Sequence, residues 1–521
     1  MRRQPGALVA LLTSLAMVGC DFGGNDDNND NTPPATQPSP PAAQRGDLLQ
    51  RPPTKLNSYT PADLLAALAS NDIGKALVNL ALSPTCSVDV YQLQYQTVGA
   101  KAESVTASGA LMIPSGTDAS CTGPRPIVLY AHGTSTLKAY NIADLTSSNN
   151  AEGLAMAAVF AAQGYIVVAP NYAGYDTSSL TYHAYLNADQ QSKDMIDALV
   201  AARSALPLAA TPSATDNGKL FITGYSQGGY VAMATHRALQ AQGTTVTASA
   251  PMSGPYALSA FGDAIFEGQV SMSAVENLTL LIAGYQQAYG NLYSATTDVF
   301  EAKYATGIDT LLPSATALSD LVAQGKLPDS TVFNSTPPAP EFASMTPATS
   351  PAEFAALFAK GFGTDNLITN AYRLAYLRDA QTAPDGGFPT ATDGLPPASP
   401  THALRIALKT NDLRTWTPNV PVQLCGGGHD PTVFFFNTQL MQSYWTTHVP
   451  AGAVTVVDID TAGDPYSDLR TSFQAAKDAV RAAAVVGGAT DGGDEAVQDA
   501  YHAGLVPPFC LNAAKRFFDT R

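Results

Sequence analysis

Three unbroken apolar segments restrict the possible folds of this chain more than any other feature. They are "RPIVLYAHG" (125–133), "GYIVVAPNYAG" (164–174) and "KLFITG" (219–224). Apolar residues that are continuous rather than alternating are expected of strands buried on both faces of a sheet. Helical patterns at 151–163 and 186–206 separate the three segments. Strands and helices in alternation predict an α/β fold with a mostly parallel sheet covered by helices on both faces.

Further strands are predicted on either side of this central region. A capped helix is predicted to begin with Thr60 as its N-cap and Pro61 as its first residue. The additional predicted strands are 87–98, 104–114, 245–254, 420–428 and 453–460. With 521 residues, the chain is long enough for one large domain with an insertion, or for two domains.

Residues 256–400 interrupt the alternation. Helical patterns such as "AVENLTLLIAGYQQAY" and "AEFAALFAKGF" occur there between proline-rich turns, without a convincing strand. The second pattern follows Ser350, which we expect to form a capping box with Glu353. We interpret residues 256–400 as a helical cap, or lid, inserted into a core formed by residues 59–255 and 401–521. An independent second domain is the alternative.

The first 58 residues have the character of a targeting segment and a spacer. Residues 1–19 begin with two arginines and continue with an apolar run too short to span a bilayer comfortably. The run ends in "MVGC", which resembles the lipobox of bacterial lipoproteins, so lipidation of Cys20 and a membrane tether are expected. An ordinary secretory signal peptide is the alternative, and both predict export. Residues 20–58 are polar and proline-rich, which predicts a disordered tether.

The composition limits which binding partners and which cellular compartment are expected for this protein. The net charge of −16 argues against nucleic acid and anionic membrane surfaces as partners, because both need a basic face. Setting Cys20 aside leaves four cysteines, an even number that is typical of disulfides in an exported protein. Four cysteines allow three pairings, and their spacing does not choose among them.

The third apolar segment leads into a motif that is typical of a catalytic serine. Gly224-Tyr225-Ser226-Gln227-Gly228 fits G-x-S-x-G, and it lies between a predicted strand and a predicted helix. In that context the motif presents a serine hydroxyl on a sharp turn at the edge of the sheet. Ser226 is therefore the candidate nucleophile. The alternative is a strand–helix turn with an incidental serine.

A serine hydroxyl needs a histidine base, which in turn needs an orienting acid. The histidines are His132, His183, His236, His402, His429, His448 and His502. We select His502, because in this arrangement the acid and then the histidine follow the serine along the chain. Asp430, after the strand at 420–428, is the candidate acid. Its rivals are Asp458, Asp460 and Asp464.

An oxyanion hole requires two backbone N–H groups near the nucleophile. We expect one from Gln227, directly after Ser226. The other is expected from Thr134, in the "AHGTST" loop that follows the strand at 125–133. His132 of this loop is expected to be structural. The sequence contains no metal-binding motif, and we predict no cofactor and no metal.

The motifs "AHGT", "VVAPNYAGY", "GYSQGG" and "NDLRTWTPNVPVQL…HD" together carry a family resemblance. Residues 87–255 and 401–521 resemble α/β-hydrolase esterases of the secretory lipase-type branch, whose helical cap corresponds to residues 256–400. The resemblance implies hydrolysis of a lipid, polymer or small-molecule ester through an acyl-enzyme formed on Ser226. A peptidase or amidase on the same fold is the alternative from another class of enzyme, and a non-catalytic binding protein is a further one.

The candidate site leads to an expected disulfide pairing. If Asp430 and His502 meet, then Cys425 and Cys510, which flank them, come close together. We therefore predict the bridges Cys425–Cys510 and Cys86–Cys121. Free buried cysteines or another pairing are the alternatives.

Overall fold

A nine-stranded sheet forms the centre of the computed structural model, which describes residues 43–70, 72–80, 84–147, 150–209 and 214–521. The strands in chain order are β1 Thr54–Tyr59, β2 Ser87–Val98, β3 Ser104–Ser115, β4 Gly123–Ala131, β5 Ile166–Pro170, β6 Ala214–Tyr225, β7 Ala248–Met252, β8 Phe333–Asn334, β9 Phe362–Gly363, β10 Val422–Gly426 and β11 Val454–Asp458. Their order in the main sheet is β1-β2-β3-β5-β4-β6-β7-β10-β11. The eight strands predicted from the sequence are confirmed.

The direction of the strands follows from their connections. β5, β4, β6, β7, β10 and β11 are parallel neighbours, and helices lie between most of them in the chain. β2 and β3 are joined by a short turn and pair antiparallel, as short connections require. All residues of β5 and β7 are buried, which explains why the apolar segments do not alternate.

Helices cover the sheet in two packed groups. The helices are α1 Pro61–Leu68, α2 Asp72–Asn79, α3 Ala151–Val159, α4 Ala188–Ala205, α5 Gln227–Ala241, α6 Leu258–Phe266, α7 Ala274–Tyr289, α8 Ala302–Ala305, α9 Leu318–Ala323, α10 Ala355–Lys360, α11 Asn370–Thr382, α12 Ala403–Asn411, α13 Phe436–His448, α14 Ser467–Val486, α15 Asp494–Ala500 and α16 Val506–Asp519. α4 and α5 pack together against the sheet, whereas α16 packs with α2, α3 and α14. Within the described residues, no helix is both long and apolar enough to cross a bilayer.

The fold begins earlier than the sequence indicates. Residues 43–58 were assigned to the tether, yet β1 pairs antiparallel with β2 and the Arg45 guanidinium contacts the Asp197 carboxylate at 3.0 Å. β1 is mostly exposed, so backbone hydrogen bonds rather than apolar burial hold it, and its composition gives no core signal. The predicted signal peptide, the lipidation of Cys20 and the tether before residue 43 lie outside the described residues.

The chain leaves the sheet after β7 and rejoins it at the neighbouring strand β10. β7 and β10 pair in parallel, although residues 253–421 separate them in the chain. This stretch contains α6 to α12 and also β8 and β9, a short two-stranded pair that the sequence did not indicate. The capping box expected at Ser350 does not form, because Pro351 is the N-cap of a short 3₁₀ turn there. At Thr60, in contrast, the predicted cap is present.

Candidate active site

Ser226 lies on a strained turn between β6 and α5. Its φ of 58° and ψ of −123° are outside the regions that a non-glycine residue prefers. The neighbouring glycines allow this turn to fit, because a Cβ on Gly228 would lie 1.9 Å from the carbonyl oxygen of Ala131 and one on Gly224 would lie 2.5 Å from it. The chain therefore keeps a strained serine by packing glycine backbone tightly beneath it.

The structure brings Ser226, His502 and Asp430 into one hydrogen-bonded chain. His502 Nε2 lies 2.8 Å from Ser226 Oγ, and His502 Nδ1 lies 2.7 Å from Asp430 Oδ2. Asp430 is 1% exposed, and its other oxygen accepts the backbone N–H groups of Thr432 and Val433 at 2.9 and 3.0 Å. These bonds fix the carboxylate, and the carboxylate in turn fixes the orientation of the imidazole.

Two elements deliver the acid and the imidazole to the same edge of the sheet. Asp430 lies in the loop after β10, at the carboxyl end of that strand. His502 lies in a π-helical turn, Tyr501–Leu505, that interrupts the path from α15 to α16. The Tyr225 hydroxyl donates to the carbonyl oxygen of His502 at 2.6 Å, which ties this turn to the residue before the serine. π-helical turns are frequent at functional sites.

Two of the three rival acids, Asp458 and Asp460, have other partners. Asp458 accepts the backbone N–H of Gly428 at 2.8 Å. Asp460 contacts the imidazole of His429 at 2.9 Å and the ammonium of Lys477. The hydrogen bond that the imidazole of His429 donates to Asp460 raises the pKa of His429, although burial opposes it. His429 is thus paired beside the candidate acid without contacting Ser226.

The loop after β4 is held from both sides. The buried ring of His132 stacks on Tyr172 with a centroid separation of 4.1 Å, and burial lowers its pKa to about 4. The backbone N–H of Gly133 donates to Glu152 Oε2 at 3.0 Å, and the Tyr130 hydroxyl donates to the same oxygen at 2.8 Å. Because these contacts fix Gly133, they also fix the position of the following residue, Thr134.

Sequence reasoning missed two side chains that support the turn. Nε2–H of Gln227 donates to His183 Nε2 at 2.7 Å, and burial lowers the pKa of His183 to about 3, so that ring is neutral and can accept. The Tyr185 hydroxyl lies 2.9 Å from Thr134 Oγ1. His183 and Tyr185 belong to an irregular segment before α4, where neither periodicity nor a motif could single them out.

Two cavities meet at Ser226. The larger, of about 410 Å³, is lined by Thr134, Glu152, Glu276 and His502 together with Ser226, and we call it the polar cavity. The smaller, of about 60 Å³, has walls from α6, α7 and α12, and we call it the apolar channel. Its residues are mostly leucine, isoleucine, phenylalanine and alanine; they are Leu258, Phe261, Gly262, Ile265, Phe266, Ala274, Leu278, Leu281, Leu404 and Leu408 among others.

Two disulfides flank this arrangement. Cys425 and Cys510 are bonded across β10 and α16, and Cys86 and Cys121 are bonded near the starts of β2 and β4. They are the same two pairs that were expected from the sequence. Disulfides are typical of proteins that fold in an oxidising compartment, so the pairs are consistent with export.

The described residues contain no group of three side chains placed to hold a metal ion.

Similar proteins agree with this architecture. The model of the prolyl oligopeptidase family matches residues 154–270. The rice cell wall degrading esterase LipA from Xanthomonas oryzae is 28% identical, with a TM-score of 0.60 over 82% of this chain and 94% of that chain. A ligand-bound form of this esterase is 25% identical, with a TM-score of 0.63 over 92% and 100% of the two chains. The chain has the α/β-hydrolase fold.

A further solved structure is similar to this chain in fold only, because its sequence identity is low. A protein from Legionella pneumophila is 17% identical, with a TM-score of 0.60 over 91% of this chain and 97% of that chain. No curated protein sequence matches the chain. The turn at Ser226 and the similarity to the Xanthomonas esterase support a serine hydrolase.

Proposed function

We propose that this protein is a serine ester hydrolase in which Ser226, His502 and Asp430 form the catalytic triad. The observation that carries the proposal is the continuous hydrogen-bonded chain Ser226–His502–Asp430 at the junction of two cavities. A buried carboxylate held by two N–H groups, an oriented imidazole and a half-buried hydroxyl on a strained turn are the parts that acyl transfer requires.

The reaction follows from the roles of these groups. Ser226 Oγ attacks the ester carbonyl carbon while His502 Nε2 accepts the hydroxyl proton. The backbone N–H groups of Gln227 and Thr134 stabilise the resulting oxyanion. His502 then protonates the departing alcohol, which leaves an acyl-enzyme on Ser226. In the second half of the reaction, a water molecule gives a proton to His502 and attacks the carbonyl carbon of the acyl-enzyme. The bond to Ser226 Oγ then breaks, Ser226 regains its proton and the carboxylic acid is released.

The two cavities suit the two halves of an ester. The apolar channel is narrow and lined by leucine, isoleucine and phenylalanine side chains, so it favours an aliphatic acyl chain. The polar cavity is wider and contains carboxylate and hydroxyl groups, so it favours the alcohol portion. The residues of the proposed cap therefore select the acyl chain, because α6 and α7 form much of the channel wall.

A peptidase or amidase remains the second candidate. Glu276 of α7 places a carboxylate in the polar cavity, where it could hold a peptide amine, and the prolyl oligopeptidase family model matches residues 154–270. The mostly hydrocarbon channel favours the ester reaction instead. Rates on p-nitrophenyl butyrate and on the corresponding p-nitroanilide distinguish the two, and we expect the ester to be preferred by at least about 10³-fold in kcat/KM.

Ser226→Ala should abolish ester hydrolysis, with a loss of at least about 10⁴-fold in kcat. His502→Ala should have a comparable effect, because the two residues act as a unit. His429→Ala is the matched control, since His429 lies next to Asp430 in the chain but contacts Asp460. Initial rates on p-nitrophenyl butyrate, with folding checked by circular dichroism, measure all three.

The control should keep more than about a tenth of the wild-type rate. If His429→Ala were as damaging as Ser226→Ala while His502→Ala remained active, the base would be misassigned. If folded Ser226→Ala kept a tenth of the wild-type rate, the triad itself would be disproved.

A further inference from the structure

The polar cavity holds two carboxylates and lacks a cationic side chain among its walls. Glu152 and Glu276 both line it beside Ser226 and His502. The residues that line it all belong to the described part of the chain, and they include neither lysine nor arginine. A ligand in this cavity therefore meets two carboxylates, and no lysine or arginine stands beside them among the described lining residues.

Each carboxylate is only partly compensated. Glu152 accepts hydrogen bonds from the Tyr130 hydroxyl and the Gly133 backbone, and Glu276 has the hydroxyl of Ser273 as its side-chain partner. Burial raises the pKa of both groups, because neutral donors do not replace the hydration that a carboxylate loses. A bound cation would supply the missing counter-charge.

Aromatic groups on the same walls point to the same chemistry. Tyr140 is 9% exposed and lines the cavity, and its hydroxyl has no hydrogen-bond partner among the described residues. Tyr130 and Tyr225 also line it. Tyrosine faces attract alkylammonium groups, and an unpaired buried hydroxyl offers a polar contact. The polar cavity thus combines charge, aromatic rings and an unused polar atom.

We propose that the polar cavity is a leaving-group subsite for alcohols that carry an ammonium group. This inference rests on the proposed ester hydrolase function and adds to it the class of alcohol. The acyl chain enters the apolar channel, which leaves the polar cavity for the alcohol. The ammonium group lies against Glu276 and the tyrosine rings, while Glu152 holds the loop that carries Thr134.

The test compares two esters of nearly the same shape. Butyrylcholine has a quaternary ammonium group, and 3,3-dimethylbutyl butyrate has a neutral carbon in its place. At pH 8 and constant ionic strength, kcat/KM should be at least about tenfold higher for the choline ester, since a tenfold ratio needs only about 1.4 kcal/mol. A ratio of one or below, with the neutral ester hydrolysed, overturns the subsite and leaves the proposed function intact.

Charge-neutralising variants distinguish the effect of the subsite on this ratio from an effect of the protein's net charge. Glu276→Gln should lower the ratio about fivefold or more. Glu341→Gln is the matched control, because Glu341 is an exposed carboxylate of residues 256–400 that lines neither cavity. An equal loss in both variants would show a general effect of charge and would overturn the proposal.

A binding measurement makes the test independent of turnover. Titration calorimetry should detect saturable binding of choline to folded Ser226→Ala protein, weaker binding to Ser226→Ala/Glu276→Gln protein, and none of 3,3-dimethylbutanol at the same concentrations. If neither ester is hydrolysed, the proposed function fails, and this titration then decides the cationic site by itself. Absence of choline binding would overturn it.

Discussion

Gly262 lies where α6 passes close to α12, on the wall of the apolar channel. A Cβ at this position would lie 2.5 Å from Leu408 Cδ1 and 2.9 Å from the Tyr376 hydroxyl. The tyrosine cannot easily yield, because its hydroxyl donates to Asp263 at 2.8 Å. A larger side chain at 262 must therefore displace Leu408, which itself lines the channel.

Gly262→Leu should shorten the acyl chains that the enzyme accepts. The added side chain fills a channel of about 60 Å³, whereas an acetyl group needs little of it. The ratio of kcat/KM for p-nitrophenyl octanoate over acetate should fall about tenfold or more. Ile406→Ala is the control, because Ile406 is an exposed residue of the neighbouring α12. An unchanged ratio in folded Gly262→Leu protein would contradict an acyl role for the channel.

The residues of the site differ in how far the sequence reveals them. Ser226, Asp430 and His502 follow a fixed chain order after recognisable strands, so elimination among seven histidines reached the residues that meet in the structure. Glu152 and His183 could not be found in this way. Their importance comes from long-range contacts with Gly133 and Gln227, which have no local sequence pattern.

At the scale of elements, the disulfide between β10 and α16 joins the parts of the chain next to Asp430 and His502, the proposed acid and base. Cys425 lies in β10 before Asp430, and Cys510 lies in α16 after His502. The bridge spans 85 residues of chain, whereas Cys86–Cys121 spans 35. Both disulfides restrict the unfolded chain. Of the two, the Cys425–Cys510 disulfide is the one that flanks Asp430 and His502.

Cys425→Ala/Cys510→Ala should lower both stability and activity. The chain-entropy model gives a loss of about 4–5 kcal/mol in the free energy of unfolding, measured by denaturant titration. In folded protein, kcat should fall about tenfold, because small displacements of catalytic groups are costly. Cys86→Ala/Cys121→Ala should lose about 4 kcal/mol yet keep its kcat. Equal kcat in the two double variants would argue against a positioning role for the first bridge.

Elements were predictable where burial determines their composition. β5 is buried throughout and β4 and β6 are buried over their last residues, and the unbroken apolar runs of these three strands indicate this burial. β1 could not be recognised, because it is a mostly exposed edge strand held by backbone pairing with β2. β8 and β9, of two residues each, are too short for any periodicity. At Ser350 the local pattern suggested a helix cap, but Pro351 takes that position instead.

At the scale of the whole molecule, buried ion pairs connect residues 256–400 to the residues that follow them. Arg405 of α12 is 1% exposed and bonds to Asp263 of α6 at 2.7 Å and to Asp379 of α11 at 2.8 Å. Arg414 pairs with Asp385 and Asp412 in a similar way. The Arg405 guanidinium therefore joins α6, α11 and α12, and two of these helices, α6 and α12, form walls of the apolar channel.

Arg405→Met should destabilise the protein by about 3–5 kcal/mol, because it leaves two buried carboxylates without their cation. Arg378→Met is the control, since Arg378 is exposed and lies 4.0 Å from the exposed Glu341; its effect should be within about 0.5 kcal/mol. Urea unfolding followed by circular dichroism measures both. A loss below about 1 kcal/mol for Arg405→Met would mean that the pairs contribute little to stability.

The pairing of β7 with β10 also has a consequence for the order of folding. Residues 253–421 must form a loop before β7 and β10 can pair. The Ser226–His502 hydrogen bond likewise joins residues that are 276 positions apart in the chain. Contacts so distant in sequence form slowly, because their loop entropy is lost before they gain any partner. After dilution from denaturant, helical signal should therefore return well before hydrolysis does. The first turnover after refolding would therefore mark the time at which Ser226 and His502, 276 residues apart in the chain, have come together.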